Sequence, residues 1–229
     1  MRCMQLSEHV WKLSSRVIIP ISIWVVRDED GVILIDAGIG MMAKKVIKQV
    51  EALKIGPIKA ILLTHGHSDH IGGLTMLSQD YQLPVYASAK EIPYLAGDHA
   101  YPGRKKAVAY VEKAKLTPLP EQDGELTVIS GLRPYLTPGH SPGHVVYYHE
   151  GDRVLIGGDL FTSKQGQLKR PYALFTPYMN QAVESGAIVK QLQPDTVSPC
   201  HGGEVVRPAE QYDHYLLDWK QKKKGKGIK

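Results

Sequence analysis

Cysteine is scarce in this sequence. Two residues in 229, Cys3 and Cys200, cannot make a disulfide framework, so the chain has to rely on an apolar core. Long apolar runs are missing as well. The most apolar stretch, VIIPISIWVV from Val17 to Val26, contains a proline and is too short to span a bilayer. The opening MRCMQLSEHVWKLSS has no apolar segment of the kind a secretory leader carries. Together these absences make a reducing cytoplasm the expected compartment and give no expectation of a membrane partner. A strong charge of one sign is also lacking over most of the chain. The formal charge is +5, and Lys220, Lys222, Lys223, Lys224, Lys226 and Lys229 near the end account for it. The rest is near neutral, which excludes a broad basic surface for nucleic acid. Residues 220–229 are expected to be a frayed, solvated tail.

What is present suits one globular domain over residues 1–219. The hydrophobic share is 43% and the charged share 22%, ordinary values for a chain long enough to bury a proper core. RVIIPISIWVVRDEDGVILIDAG reads as two strands rich in β-branched residues, joined by a turn at Asp28 to Gly31. Met42, Val46, Val50 and Leu53 recur at helical spacing, and Gly56-Pro57 stops that helix. Ile58 to Thr64 is a nearly unbroken apolar run, the pattern of a strand buried on both faces. A helix is expected to start within GGLTMLSQD, and a strand at Leu83 to Ser88. A further helix is expected from Lys105 to Lys115. ELTVIS, LRPYLT, VVYYHEG and DRVLIGGD follow at the spacing of a meander, then a helix and a short strand ending in His-Gly-Gly. Helices between strands around a central meander predict two sheets with helices outside, an αββα sandwich of the α/β class.

The chemistry concentrates in LLTHGHSDHIGG, residues 62–73. His65 and His67 stand two apart after a buried strand, and in extended chain such residues point the same way, so both rings can reach one metal. Asp69 and His70 then turn toward a second position. Imidazole and carboxylate without thiolate are zinc-type ligands, and iron or manganese accept the same set. Four ligands in one loop suit two metals rather than one. Three more candidates, His140 in TPGHSPGH, Asp159 in LIGGD and His201 in PCHGG, each stand at the expected C-terminal end of an apolar strand, where active sites of layered α/β folds collect. His9, His99, His144, His149 and His214 are read as ordinary structural or surface residues, and Cys200 as a packing residue.

VILIDAG, THGHSDHIGG, TPGHSPGH, LIGGD and PCHGG together make the chain resemble the metallo-β-lactamase-fold hydrolases. The resemblance spans nearly the whole chain and implies an αββα sandwich with a binuclear site at one edge. It implies that His65, His67 and His140 hold the first metal, that Asp69, His70 and His201 hold the second, and that Asp159 bridges them. Asp36 would brace the ligands from behind. Two divalent cations with two carboxylates leave a net positive centre that turns a shared water into hydroxide near neutral pH. Asp69 is then the expected catalytic carboxylate, holding that hydroxide and passing its proton to the leaving group.

Within that group, a bridging Asp159 departs from the β-lactamases. Thr162 stands where many lactonases have tyrosine, and only 28 residues follow His201, too few for the helical extension of glyoxalase II. The expectation is therefore a two-zinc hydrolase of small esters, lactones or thioesters. A mononuclear iron enzyme like the persulfide dioxygenases, or a phosphodiesterase, is the alternative. Residues 93–106 and 168–180 are expected to shape the pocket, with Leu174, Phe175, Tyr178 and Met179 as an apolar wall and Arg104 or Arg170 meeting a carboxylate.

Overall fold

The computed structural model describes residues 1–81 and 83–225. Two mixed β-sheets face one another, and helices cover their outer faces, as the element order predicts. The first sheet has seven strands in sequence order. Strands β1 (Arg2–Gln5), β2 (Val10–Arg16), β3 (Pro20–Asp28) and β4 (Gly31–Ile35) are antiparallel. β4 then runs parallel to β5 (Ile58–Leu62), β6 (Val85–Ala87) and β7 (Leu116–Pro118). The crossovers carry α1 (Ala43–Leu53), α2 (Ser68–Ile71), α3 (Leu74–Tyr81) and α4 (Ile92–Leu95). In α1 the apolar spacing buries Ala43, Val46 and Val50 and leaves the lysines outside, and the helix ends at Lys54 in the left-handed region.

A small hairpin, β8 (Glu121–Gln122) and β9 (Glu125–Leu126), leads to the second sheet. There β10 (Leu132–Leu136), β11 (Val145–His149) and β12 (Val154–Lys164) form the expected meander. β13 (Gln167–Lys169) pairs with β12, which also runs parallel to β14 (Thr196–His201), and β15 (Val205–Val206) closes the edge. The helices α5 (Met179–Ser185), α6 (Ile188–Leu192) and α7 (Pro208–Gly225) accompany this sheet. Alternation along β11 builds both layers. Val145 and Tyr147 enter the core shared with the first sheet, while Val146 and Tyr148 pack in a second core with Val183, Val189, Tyr212 and Trp219 of the helices.

Three expectations are corrected. Residues 105–112 are not helical, and only a short 3-10 turn forms at Lys113–Lys115. The backbone N–H groups of Tyr110 and Val111 donate to the Leu95 carbonyl, so they are unavailable to an i−4 ladder, and no apolar stripe from this stretch is buried. ELTVIS yields only Glu125–Leu126 of the β8–β9 hairpin and stays out of the meander. Residues 220–225, expected to fray, continue the backbone of α7, a helix that follows an unrecognised start at Pro208. The remainder of the tail lies outside the described residues. Among the described residues no helix is long and apolar enough to cross a membrane.

Candidate metal centre

The histidines of the first cluster are brought together at the edge where the two sheets meet. His65 and His67 follow β5, and His140 stands in the turn between β10 and β11. A bond from the Val145 N–H to the Thr64 carbonyl ties those two segments across the sandwich. His65 Nε2, His67 Nδ1 and His140 Nε2 then form a triangle with sides of 3.0, 2.9 and 3.1 Å. Asp69, His70 and His201 gather beside it. His201 Nε2 lies 3.3 Å from an oxygen of Asp69 and 3.3 Å from one of Asp159, and His70 Nε2 lies 3.4 Å from Asp159 Oδ1. Asp159 also approaches His140 Nε2 at 3.3 Å, so its carboxylate touches both clusters. All seven sequence-derived ligand candidates therefore meet at one place.

Outward hydrogen bonds fix which nitrogen of each ring faces in. Thr64 Oγ1 donates its proton to Asp36 Oδ2 at 2.8 Å, so it accepts from His65 Nδ1 at 3.0 Å. Thr176 Oγ1 likewise donates to the Tyr172 carbonyl and accepts from His140 Nδ1 at 3.0 Å. His70 Nδ1 donates to Asp36 Oδ2 at 2.6 Å, and His201 Nδ1 donates to the Pro20 carbonyl at 2.6 Å. Each of these four rings thus carries its proton outside and turns Nε2 inward. Three inward lone pairs around one point cannot satisfy one another. His70 Nε2 and Asp159 Oδ1 are buried with no hydrogen-bond partner at all. Buried polar atoms are rarely left so, and a cation at each cluster is the charge that suits them. The arrangement fits a His/Asp metal site.

Electrostatics separate the two clusters. Burial holds His65 and His140 well below the ordinary imidazole range and brings His67 to about 4, so the triad is neutral and ready to ligate. Burial opposes charge on His70 and His201 too, but Cys200 and then Asp36, Asp69 and Asp159 outweigh it at His70, and Asp159 and Asp69 do so at His201, so both are raised. Burial would lift Asp69, yet His70 and His201 draw it down to about 2, and Asp159 is held well below the usual carboxylate range.

Asp36 braces the site from behind. It is fully buried, adopts φ 64°, and accepts from both the N–H and the hydroxyl of Thr64 as well as from His70. An aspartate tolerates that left-handed conformation at a small cost that the three bonds offset. Asp159 departs from its expected position. It stands inside β12 rather than at its end, at an irregularity where the pairing with β14 shifts register around Gly158. Gly158 has φ +50°, and a Cβ there would meet His144 Nε2 and the Thr64 side chain at 2.9 Å. The bulge turns the carboxylate inward without ending the strand.

Three contributors escaped the sequence reading. His144, read as an ordinary residue, is fully buried; its Nε2 accepts the Asp159 N–H at 3.1 Å, and burial lowers it to about 3. Glu91 accepts from the N–H groups of Gly66 and Gly143 and from Ser141 Oγ and Tyr101 Oη, joining the loops that carry His65, His67 and His140. Lys12, only 3% exposed, donates to the carbonyls of Pro199 and Gly202 and to Glu204, which clasps the loop around His201. Lys12→Met is expected to cost roughly 3 kcal/mol in urea unfolding, because it leaves two carbonyls and a carboxylate without their donor. The doubled Pro-Gly-His of residues 138–144 could have flagged His144; isolated Glu91 and Lys12 carry no local signal. Cys200, read as a packing residue, is fully buried with its sulfur 3.4 Å from the Ser22 N–H, but it also gathers with Asp69, His70 and His201, and despite burial those two rings draw its thiol below the ordinary value.

A cavity of about 490 Å³ opens over the clusters, lined by His67, Asp69, Asp159 and His201 below and by Phe175 and Arg104 among its walls. Leu174 lines an adjoining pocket that shares His67, Arg104 and Phe175, while Arg170, Met179 and Tyr178 lie elsewhere. Arg170 stacks 4.6 Å over the ring of Trp219, Met179 packs against the second core, and Tyr178 precedes α5, half exposed and away from the cavity lining. The rest of the apolar wall comes largely from the tip of the β2–β3 hairpin, far in sequence from the expected segment.

The family model described as the metallo-beta-lactamase superfamily matches residues 17–201. The chain is 39% identical over 228 residues to "probable metallo-hydrolase YybB" of Bacillus subtilis (strain 168), covering 96% of this chain and 100% of that one. It is 32% identical over 146 residues to a hydroxyacylglutathione hydrolase of Nitrosomonas europaea, covering 64% of this chain and 47% of that protein. A solved metallo-beta-lactamase family protein from Thermus thermophilus superposes with a TM-score of 0.72 at 20% identity, over 96% of this chain and 82% of its own, a likeness of fold.

Proposed function

The chain belongs to the metallo-beta-lactamase superfamily, and on that footing we propose that it is a two-zinc hydrolase cleaving an ester, lactone or thioester bond of a small molecule. The observation that carries this reading is the pair of adjoining clusters whose ring nitrogens are turned inward by outward hydrogen bonds, with Asp159 touching both. His65, His67 and His140 would hold one ion, Asp69, His70 and His201 the other, and Asp159 would lie between. Bound there, the ions would supply an acidified water as nucleophile and Lewis-acid polarisation of the substrate carbonyl.

The remaining work falls to the protein. Asp69 is the one carboxylate of the set with a quarter of its side chain exposed, and it lines the cavity. Ionised at neutral pH, it can accept a hydrogen bond from the attacking water and hand a proton to the departing sulfur or oxygen. Asp36 and Thr64 keep His65 and His70 from rotating, and His144 holds the Asp159 backbone. The apolar cavity walls limit water around the reacting carbonyl. An acyl bond is also in keeping with the hydroxyacylglutathione hydrolase among the relatives.

Elemental analysis of protein purified without added metal tests the reading. About two zinc ions per chain, with hydrolysis lost on chelation and restored by zinc, is the expected result. About one iron per chain and little zinc would overturn it in favour of thiol or persulfide oxidation.

A further inference from the structure

The β2–β3 hairpin breaks the usual composition of an exposed turn. Such turns are built from glycine, asparagine, aspartate and serine. Here the tip is Val17, Ile18 and Ile19, with Val17 54% and Ile18 87% exposed. Aliphatic surface left in water costs about 25 cal/mol per Å², so a turn of this composition gains from something that covers it. Its placement says what. The tip lines the same cavity as His67, Asp69 and His201, and Ile21 and Ile39 extend the aliphatic surface toward the ligands. The Pro20 carbonyl accepts from His201, so the hairpin is anchored at the reacting centre.

A single cation outside the ligand set lines this cavity. Arg104 enters no ion pair among the described residues and lines the cavity together with His67. One guanidinium in a largely apolar cavity matches one carboxylate, which it can grip with two parallel N–H···O bonds. Outside the ligand set, no second cationic side chain lines the cavity.

We propose that the substrate carries an aliphatic chain on one flank of the scissile acyl bond, held by the hairpin tip, and a carboxylate on the other, held by Arg104. This rests on the reading of the site as a hydrolase. Water adds at the acyl carbon, the carbon–sulfur or carbon–oxygen bond breaks, and the leaving atom takes the proton, giving an acid and a thiol or alcohol.

The test uses the zinc-loaded full chain and four thioesters: octanoyl and acetyl, each on mercaptoacetate and on its neutral amide. We expect kcat/KM to rise at least about tenfold from acetyl to octanoyl and at least about tenfold from amide to carboxylate. Arg104→Gln is expected to bring the carboxylate-to-amide ratio toward one, and Ile18→Asn to shrink the octanoyl-to-acetyl ratio. Wild-type ratios near one, or ratios that neither substitution moves, would overturn the proposal. N-octanoylglycine, with both ends and no thioester, gives a second readout by calorimetry. If it binds, both substitutions weaken it, and no thioester is cleaved, the pocket assignment stands and the hydrolase reading falls. Cleavage indifferent to both ends does the reverse, and neither binding nor cleavage overturns both. A dimer seen in sedimentation and lost in Ile18→Asn, without N-octanoylglycine binding, would assign the hairpin to a second copy and sink the proposal.

Discussion

Replacing Asp159 with asparagine is expected to lower kcat/KM roughly a thousandfold while the protein still folds. The carboxylate faces His70, His140 and His201 at 3.3 to 3.4 Å, and its Oδ1 makes no hydrogen bond. Its contribution is therefore charge toward a cation rather than cohesion of the fold. The amide keeps the shape and removes that charge, so metal content should fall from about two ions per chain to about one, read by elemental analysis. Thermal unfolding of the metal-free variant should fall somewhat below that of the metal-free wild type at neutral pH, because His70, His140 and His201 hold the carboxylate ionised despite its burial and the amide gives up that attraction. A variant that keeps two ions and full activity would remove Asp159 from the site.

The second large effect is expected at Glu91. Replacing it with alanine strips four donors of their acceptor, and all four lie in loops packed behind the triad. With about 1 kcal/mol or more for each buried donor left unsatisfied, the loss should be roughly 4 kcal/mol in denaturant unfolding. Activity should fall further than stability alone explains, since Gly66 separates His65 from His67 and Ser141 follows His140. The penalty also has a pH dependence whose sign is fixed. Burial raises the Glu91 carboxyl above its ordinary value despite its four hydrogen bonds. A raised folded-state value means the contribution is fully present below the unfolded carboxyl range and shrinks as pH rises through the folded value. The stability gap between wild type and Glu91→Ala should accordingly narrow from pH 4 upward. A gap that widens over that range would show that the four hydrogen bonds favour the carboxylate more than burial disfavours it, contrary to this reading.

Much of the site was legible because its residues are dense and its chemistry is narrow. H-x-H-x-D-H after an apolar run admits few readings, and the strand and helix periodicities around it placed both sheets. The failures share a cause: they depend on partners distant in sequence. Lys105 to Lys115 has residues that accept a helix, yet the Leu95 carbonyl takes the N–H groups of Tyr110 and Val111. Asp159 reads as a strand end because Gly157-Gly158 looks like a turn, while in the sheet those glycines make a bulge and β12 continues to Lys164. Glu91 lies 25 residues from Gly66 and 50 from Ser141, so no local pattern announces it. Phe175 lines the cavity and its neighbours Tyr178 and Met179 do not, because the chain turns into α5 at Met179.

The bond from His201 to the Pro20 carbonyl has an evolutionary corollary. The hairpin whose tip lines the cavity also supplies the acceptor that keeps His201 Nε2 aimed inward. Lengthening or reshaping that turn to admit a new compound would therefore disturb the grip on metal in the same stroke. A reshaped turn has two routes open: preserve the carbonyl at its base and vary only the side chains above it, or find another acceptor for the imidazole. Selectivity in this lineage is thus freest to drift at positions 17 to 19 and most constrained one residue later.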